Sequence, residues 1–307
     1  MRIAITGAGG MIGRACVRRF ARRGDEVVAL SRTPLDWRTG STGTPRAVAG
    51  RVTDYSTDDL ASALQGVDAV IHLAAMRMSG EADAIGFRPY QEANVQITEN
   101  ILRACLESGT RKICLASTVA VYFGAGQSPV TEALPPCPTG FYGLSKLCCE
   151  NLAFVYGIRF PLNAVCLRIA QVIGLDETRT DNMLMRFMAL AARRQPLPLW
   201  GEGAGARDTI YVEDVVEAFE CALAADGVSG VFNIGGGCAV SNREVAETIN
   251  EVFDNVGNLT FDRTRREDTS NLFMDCSRAE RELGWRRQWS LRAAFADLKR
   301  DLASTAP

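Results

Sequence analysis

The sequence predicts an α/β protein, a doubly wound parallel sheet with a smaller α/β lobe interleaved with it. Three observations predict it. Short, wholly apolar runs alternate with amphipathic helical stretches through the first half of the chain. Strands apolar on both faces belong to a parallel sheet covered on both sides. The first such run leads directly into a glycine-rich turn and a helix. After about residue 168 the pattern loosens into Pro- and Gly-bounded segments, with no repeat and no low-complexity linker. That argues for a second lobe woven into the first.

The elements follow in order. "RIAITG" is a buried strand, and "GMIGRACVRRFARRG" a helix that stops at Gly24, a residue suited to helix termination. "EVVALS" is the second strand and "AVAG" a weaker third. "STDDLASALQG" opens on a serine cap and reads as a short helix. "DAVIHLA" is the fourth strand. "YQEANVQITENILRACLESG" is one long amphipathic helix with Val95, Thr98, Leu102, Cys105 and Leu106 on a stripe. "KICLAS" and "NAVCLRIA" are the fifth and sixth strands. Beyond them, "TIYVEDVVEAFECALA" and "GVFNIGG" return to helix and strand, and the segment from "SNREVAETINEVF" onward is mostly helical.

The bulk numbers exclude several functions. The 307 residues suffice for a large core, and 47% hydrophobic with 23% charged residues is ordinary for a globular protein. A net charge of −2 offers nothing to attract nucleic acid or an anionic membrane. There is no signal-peptide pattern and no uncharged apolar run of about 18 residues, so neither secretion nor a membrane span is expected. The ten cysteines include no Cys-x-x-Cys pair and mostly sit in apolar runs, which suits a reducing, cytoplasmic setting. With one histidine, His72, and no such pair, a metal site is not expected.

"TGAGGMIG" places Gly7, Gly10 and Gly13 between the first strand and the first helix. Glycine lets the backbone approach a pyrophosphate closely, and the helix start, at Met11 and Ile12, offers unpaired N–H groups and a positive dipole end. This is the Rossmann-like arrangement for a dinucleotide. An acid at the end of the second strand would select NAD; Ser31 and Arg32 stand there instead. Arg32 suits a 2′-phosphate, so NADP is expected ahead of NAD. Asp54 either meets the adenine amino group or caps the helix after it.

"FYGLSK" sets Tyr142 and Lys146 four residues apart, on one face of a helix. A free phenol, with pKa about 10, is a poor base at neutral pH. An ammonium about 4 Å away favours the phenolate by roughly 4 kcal/mol at an effective dielectric of 20. Such a pair suits proton transfer coupled to hydride transfer.

These motifs, with "DAVIHLAA", "KICLASTVAVY", "LRIAQVIG", "RDTIYVEDVVEA" and "DCSRAERELGW", resemble the extended short-chain dehydrogenase/reductase family, in its NAD-dependent epimerase/dehydratase group. The resemblance covers nearly the whole chain. It implies a dinucleotide-binding domain (1–167 plus 206–235) and a substrate-binding lobe (168–205 plus 236–307). It implies that Tyr142, Lys146 and Thr118 are catalytic, and that Leu73, Ala74, Ala75 and Asn94 flank the cofactor. The family's dehydratases carry Asp-Glu after the catalytic Thr; Val119 and Ala120 stand there, which disfavours dehydration. A nucleotide-sugar substrate is implied, with Arg207 and Arg265 (in Arg-x-x-Asp with Asp268) at its diphosphate, and Asn182 and Leu184 at base and sugar. Gln171 replaces the usual epimerase Asn, and Phe141, Cys137 and Gln171 are expected to shape substrate choice. The reading is a nucleotide-sugar epimerase acting by transient hydride transfer. The alternatives are an NADPH-dependent ketoreductase of a keto sugar and a non-catalytic dinucleotide sensor. Family dimers pair the long helix with the Tyr-x-x-x-Lys helix, so a homodimer through 90–108 and 142–157 is expected, with Ile97, Ile101, Leu147, Leu152 and Phe154 available for core or interface.

Overall fold

The structure, a computed structural model, describes residues 1–35, 48–78, 80–175, 183–267 and 271–305. The strands are β1 (Arg2–Thr6), β2 (Glu26–Ser31), β3 (Val48–Val52), β4 (Ala69–His72), β5 (Lys112–Thr118), β6 (Asn163–Ile169), β7 (Gln171–Ile173), β8 (Leu197–Trp200), β9 (Ala206–Tyr211), β10 (Gly230–Ile234), β11 (Ala239–Ser241) and β12 (Leu259–Asp262). The helices are α1 (Met11–Arg23), α2 (Thr57–Ala63), α3 (Gly80–Ile85), α4 (Arg88–Tyr90), α5 (Ile97–Ser108), α6 (Phe141–Arg159), α7 (Met183–Ala192), α8 (Val212–Ala224), α9 (Asn242–Val252), α10 (Ser277–Leu283) and α11 (Leu291–Thr305).

Seven parallel strands form the main sheet in the order β10-β6-β5-β4-β1-β2-β3. The chain winds outward from β1 to β3, then returns to the other side of β1 as β4. That reversal leaves a crevice at the carboxyl ends of β1 and β4, where open α/β sheets bind ligands. Alternate residues supply opposite faces. Ile3 and Ile5 join a core with Phe20 of α1 and Phe219 of α8. Ala4 and Val70 join a second with Leu60 of α2 and Leu102 of α5.

The smaller lobe holds the three-stranded sheet β11-β9-β7 and the pair β12-β8. Strand β9, which the sequence division places with the large sheet, pairs instead with β7 and β11. Its companion α8 packs against β5 and β6 of the main sheet.

The long helix also differs from the expectation of one continuous element. Residues Gln91–Gln96 form a π-helical turn before α5 begins. Such wide turns shift the side-chain phase and recur at functional sites. Here the turn carries Asn94, which is 1% exposed. Ile97 and Ile101 belong to the core, whereas Phe154 on α6 is 65% exposed. No helix among the described residues is long and apolar enough to cross a membrane.

Candidate active site

The glycine turn is built by close packing. A Cβ on Gly13 would lie 2.3 Å from Gly7 O, so α1 can seat against the turn only with glycine there. A Cβ on Gly10 would meet only Gly7 O, at 3.5 Å, and otherwise enter open space. Gly10 caps α1 without a side-chain hydrogen bond, and the first helical bond runs from Arg14 N–H to Gly10 O. The amides of Met11, Ile12 and Gly13 therefore have no intrahelical acceptor. They face an anion site with the helix dipole behind them.

That open space is a cavity of about 450 Å3 at the β1/β4 crevice, and Gly7, Gly10, Met11, Ile12 and Gly13 line one side of it. Leu73, Ala74 and Ala75 form its floor, and Thr118, Tyr142 and Lys146 stand opposite. Sequence-distant elements thus bring the expected catalytic triple together. A Cβ at Gly143 would sit 2.6 Å from Ala120 O, so glycine lets the start of α6 close on the short helix Val119–Tyr122 that follows Thr118. Thr118 Oγ1 accepts the Ala120 N–H at 3.2 Å, which leaves its own O–H to donate into the cavity. Lys146 is 5% exposed, yet its ammonium makes no hydrogen bond or ion pair with the described residues. Among the described residues, the charged side chains in the cavity wall are Arg77 and Lys146, both cations.

None of the other expected residues among those described lines this cavity. Asn94 works from behind. Its Oδ1 accepts Met76 N–H at 2.7 Å, and its Nδ2 donates to Met76 O at 3.1 Å and to Ser145 Oγ at 2.9 Å. Ser145 Oγ donates in turn to Tyr142 O at 2.8 Å. Asn94 thus ties the loop after β4 to the first turn of α6. Ser31 Oγ donates to Thr33 O at 2.5 Å. Arg32 is exposed, its guanidinium 5.8 Å from the centre of the Tyr55 ring. Asp54 is exposed and accepts Ser56 N–H at 2.8 Å, a bond that holds its carboxyl below the usual range. It therefore braces the entry to α2, whose cap is Ser56.

On the smaller lobe, Gln171 is exposed at the start of β7, directly after the cavity-lining Ala170. Arg207 lies on β9 and donates to Ala206 O at 3.0 Å. Arg265 stacks over the exposed Trp200 indole at 4.9 Å and pairs with Asp262 at 3.4 Å. Leu184 is 7% exposed and belongs to the apolar core. Asn182 and Asp268 lie outside the described residues. His72 is a core strand residue, as expected, at 2% exposure.

Four contributors carried no sequence signal that was used. Arg77 and Ser117 line the cavity. The buried Tyr55 accepts the Gly7 N–H at 3.2 Å and donates to Leu30 O at 3.4 Å, from a left-handed φ of 63°. Trp200, in "WGEGAG", carries the Arg265 guanidinium on its indole. Of these, Arg77 has a legible signal: it stands two residues beyond the apolar "HLAA", and a cation after a strand's carboxyl end points at the same crevice.

The model of the NAD dependent epimerase/dehydratase family matches residues 3–235. The chain belongs to this family. It is similar to a UDP-glucose 4-epimerase of Halalkalibacterium halodurans, 29% identical over 303 residues, covering 93% of this chain and 90% of that protein. Among solved structures it is similar to a UDP-N-acetylglucosamine 4-epimerase from Bacillus cereus, with TM-score 0.87, 30% identity, and 100% and 98% of the two chains covered. It is also similar to MoeE5 in complex with UDP-glucuronic acid and NAD, with TM-score 0.84, 29% identity, and 98% and 100% covered. The family name implies a nicotinamide dinucleotide. The residues fit one: the hollow beside Gly10, the first-turn amides of α1 and the unpaired Lys146 ammonium all await an anionic, hydroxyl-bearing ligand.

Proposed function

We propose that this chain is a nucleotide-sugar 4-epimerase that works by transient, reversible hydride transfer. The observation that carries the reading is the meeting of Thr118, Tyr142 and the unpaired Lys146 in one cavity behind the glycine turn. The similar proteins named for UDP-sugar 4-epimerisation support the substrate class. A bound nicotinamide dinucleotide supplies the hydride acceptor and donor. Tyr142 takes the proton of the sugar 4-hydroxyl as its carbon loses hydride, and returns a proton when hydride comes back to the opposite face. Thr118 donates its free O–H to the same oxygen. Lys146 would hold the ribose hydroxyls of the dinucleotide. Val119 and Ala120 carry no proton, so the cycle ends in epimerisation rather than loss of water.

Ser31 and Arg32, in place of an acid at the end of β2, favour NADP. NAD stands second, on the strength of MoeE5. Arg207 and Arg265 are the cations proposed for the substrate diphosphate. A homodimer through α6 is proposed on Phe154, Val155 and Ile158, which are 65%, 44% and 69% exposed on its outer face. Ten free cysteines suit a reducing cytoplasm.

The test is proton NMR of purified protein with UDP-glucose and, separately, UDP-N-acetylglucosamine. Conversion to the 4-epimer with no net change at 340 nm is expected. Tyr142→Phe should lower kcat by at least roughly 100-fold, the usual worth of a positioned acid/base, while dinucleotide binding persists. Stoichiometric consumption of NADPH with a keto sugar would overturn the epimerase reading.

A further inference from the structure

Directly behind the catalytic triple lies a buried polar chain that the mechanism above does not use. Arg168 of β6 grips Glu150 of α6 with two nitrogens. Its Nη2 donates to Oε2 at 2.6 Å, and its Nε donates to Oε1 at 3.0 Å. Their side chains are 5% and 4% exposed. Ser117 Oγ, in the cavity wall, donates to Glu150 Oε1 in a short bond. On its other side Arg168 donates to Tyr122 Oη at 2.5 Å, and Tyr122 donates to Asn233 Oδ1 at 3.0 Å. Asn233 Nδ2 then donates to Val130 O and Asp275 O, both at 3.1 Å.

This chain joins the elements that must hold register for the reaction. Ser117 adjoins Thr118 on β5. Glu150 stands one turn beyond Lys146 and two beyond Tyr142 on α6. Arg168 faces Ser117 across the sheet and precedes the cavity-lining Ile169 and Ala170. The chain also makes the two neighbouring hydroxyls unequal, because it claims the proton of Ser117 alone. Ser117 delivers its proton to Glu150 and can only accept toward the cavity. Thr118 accepts from Ala120 N–H and keeps its proton free to donate.

We propose that the Glu150–Arg168 pair is a positioning device. It sets the spacing of β5, α6 and β6 so that the Thr118 hydroxyl and the Tyr142 phenol converge on one substrate oxygen, and it denies Ser117 the donor role. The proposal rests on the epimerase reading for its kinetic arm only. Lysine keeps the charge of arginine but loses the two-nitrogen fork, so Arg168→Lys separates geometry from charge.

The test compares the parent, Arg168→Lys and the double variant E150M/R168M, in which an apolar pair replaces the ion pair. Such replacements commonly fold, so the double variant covers failure of the single one. Each is assayed for thermal unfolding, dinucleotide affinity, kcat and KM for the UDP-sugar, and amide hydrogen exchange. Expected are a kcat at least tenfold lower with KM and dinucleotide affinity within twofold, and faster exchange at residues 115–120 and 141–147. A purely structural role would lower the unfolding temperature alone. A folded variant with kcat within twofold and unchanged exchange overturns the proposal. If the parent shows no epimerase activity but exchange rises at those segments in the variants, the functional reading falls and the positioning role stands.

Discussion

His72 offers the most direct quantitative test of the cavity floor. Thr6 Oγ1 accepts the N–H groups of Leu73 and Ala74, both at 3.1 Å. Its own proton is then directed to His72 Nδ1, 2.8 Å away. The other ring nitrogen, 3.2 Å from Thr98 Oγ1, must carry the hydrogen. Thr98 in turn donates to Cys149 Sγ at 3.1 Å. Every member of the chain has one role, and a second proton on His72 would put two donors face to face at Thr6. Burial first, and the Lys146 charge second, push the imidazole down from 6.5 to about 3. At 1.36 kcal/mol per pKa unit, that depression is worth about 5 kcal/mol.

The sign follows from proton counting. Between about pH 3 and 6.5 the unfolded chain binds a proton at His72 that the folded chain refuses, so stability falls as pH falls through this window. From pH 7 to pH 5 the loss amounts to about 2 kcal/mol, because the unfolded imidazole titrates almost completely over that span. The assay is urea unfolding at both pH values for the parent and for His72→Gln. Other titrating groups cancel in the difference, so the parent should lose about 2 kcal/mol more than the variant. Equal losses in the two proteins would mean that His72 is charged in the fold, and the directional chain to the cavity floor would be wrong.

Three further predictions follow from the same geometry. Asp208, 3% exposed, accepts Gly236 N–H at 2.6 Å and Met274 N–H at 2.9 Å, and burial raises its carboxyl to about 6. Its contribution is fully present below 3.8 and is lost as pH rises through 6, opposite in sign to His72 and about 3 kcal/mol in full. Asp208→Asn should remove that slope in unfolding measured from pH 4 to 7. Gly13→Ala forces a Cβ to 2.3 Å from Gly7 O and should lower the unfolding temperature, whereas Gly10→Ala should leave it unchanged and weaken dinucleotide binding at least roughly tenfold by calorimetry. Ile158→Asp, at a site 69% exposed, should yield a monomer by light scattering if α6 is the dimer face, and an unaltered oligomer would refute that face.

The sequence carried the parts of this fold that depend on local pattern. Apolar runs named the main-sheet strands, Gly24 ended α1 in a left-handed φ of 94°, and Ser56 capped α2. Tyr142 and Lys146 were legible because one helix fixes their relation. What stayed hidden depends on strand order. Ser117 and Glu150 are 33 residues apart, and Tyr122 and Asn233 are 111 apart. Only the placement of β6 beside β5, and of β10 beyond it, brings them together. The π-helical turn was hidden for a different reason. One inserted residue shifts the phase of a stripe without breaking its period, so "YQEANVQITENILRACLESG" still reads as a single amphipathic helix. The misplacement of β9 has the same root as the hidden pairs: a strand's apolar pattern does not name its sheet.

Lys146 shows how the hidden part makes the legible part work. Glu150 stands four residues after it on α6, the spacing at which a helical acid and base normally pair. Such a pair would neutralise the ammonium and draw it out of the cavity. Arg168 occupies both carboxylate oxygens, and Ser117 takes a further lone pair of Oε1, so the carboxylate has strong partners other than Lys146. The Lys146 ammonium is left to the cavity that Tyr142 also lines. An anionic or hydroxyl-rich ligand that accepts from this ammonium gains the contact only in the parent, so dinucleotide binding should raise the unfolding temperature by more in the parent than in Lys146→Met. Equal increments in the two proteins would show that the ammonium has no part in holding the ligand, and that its charge is met elsewhere.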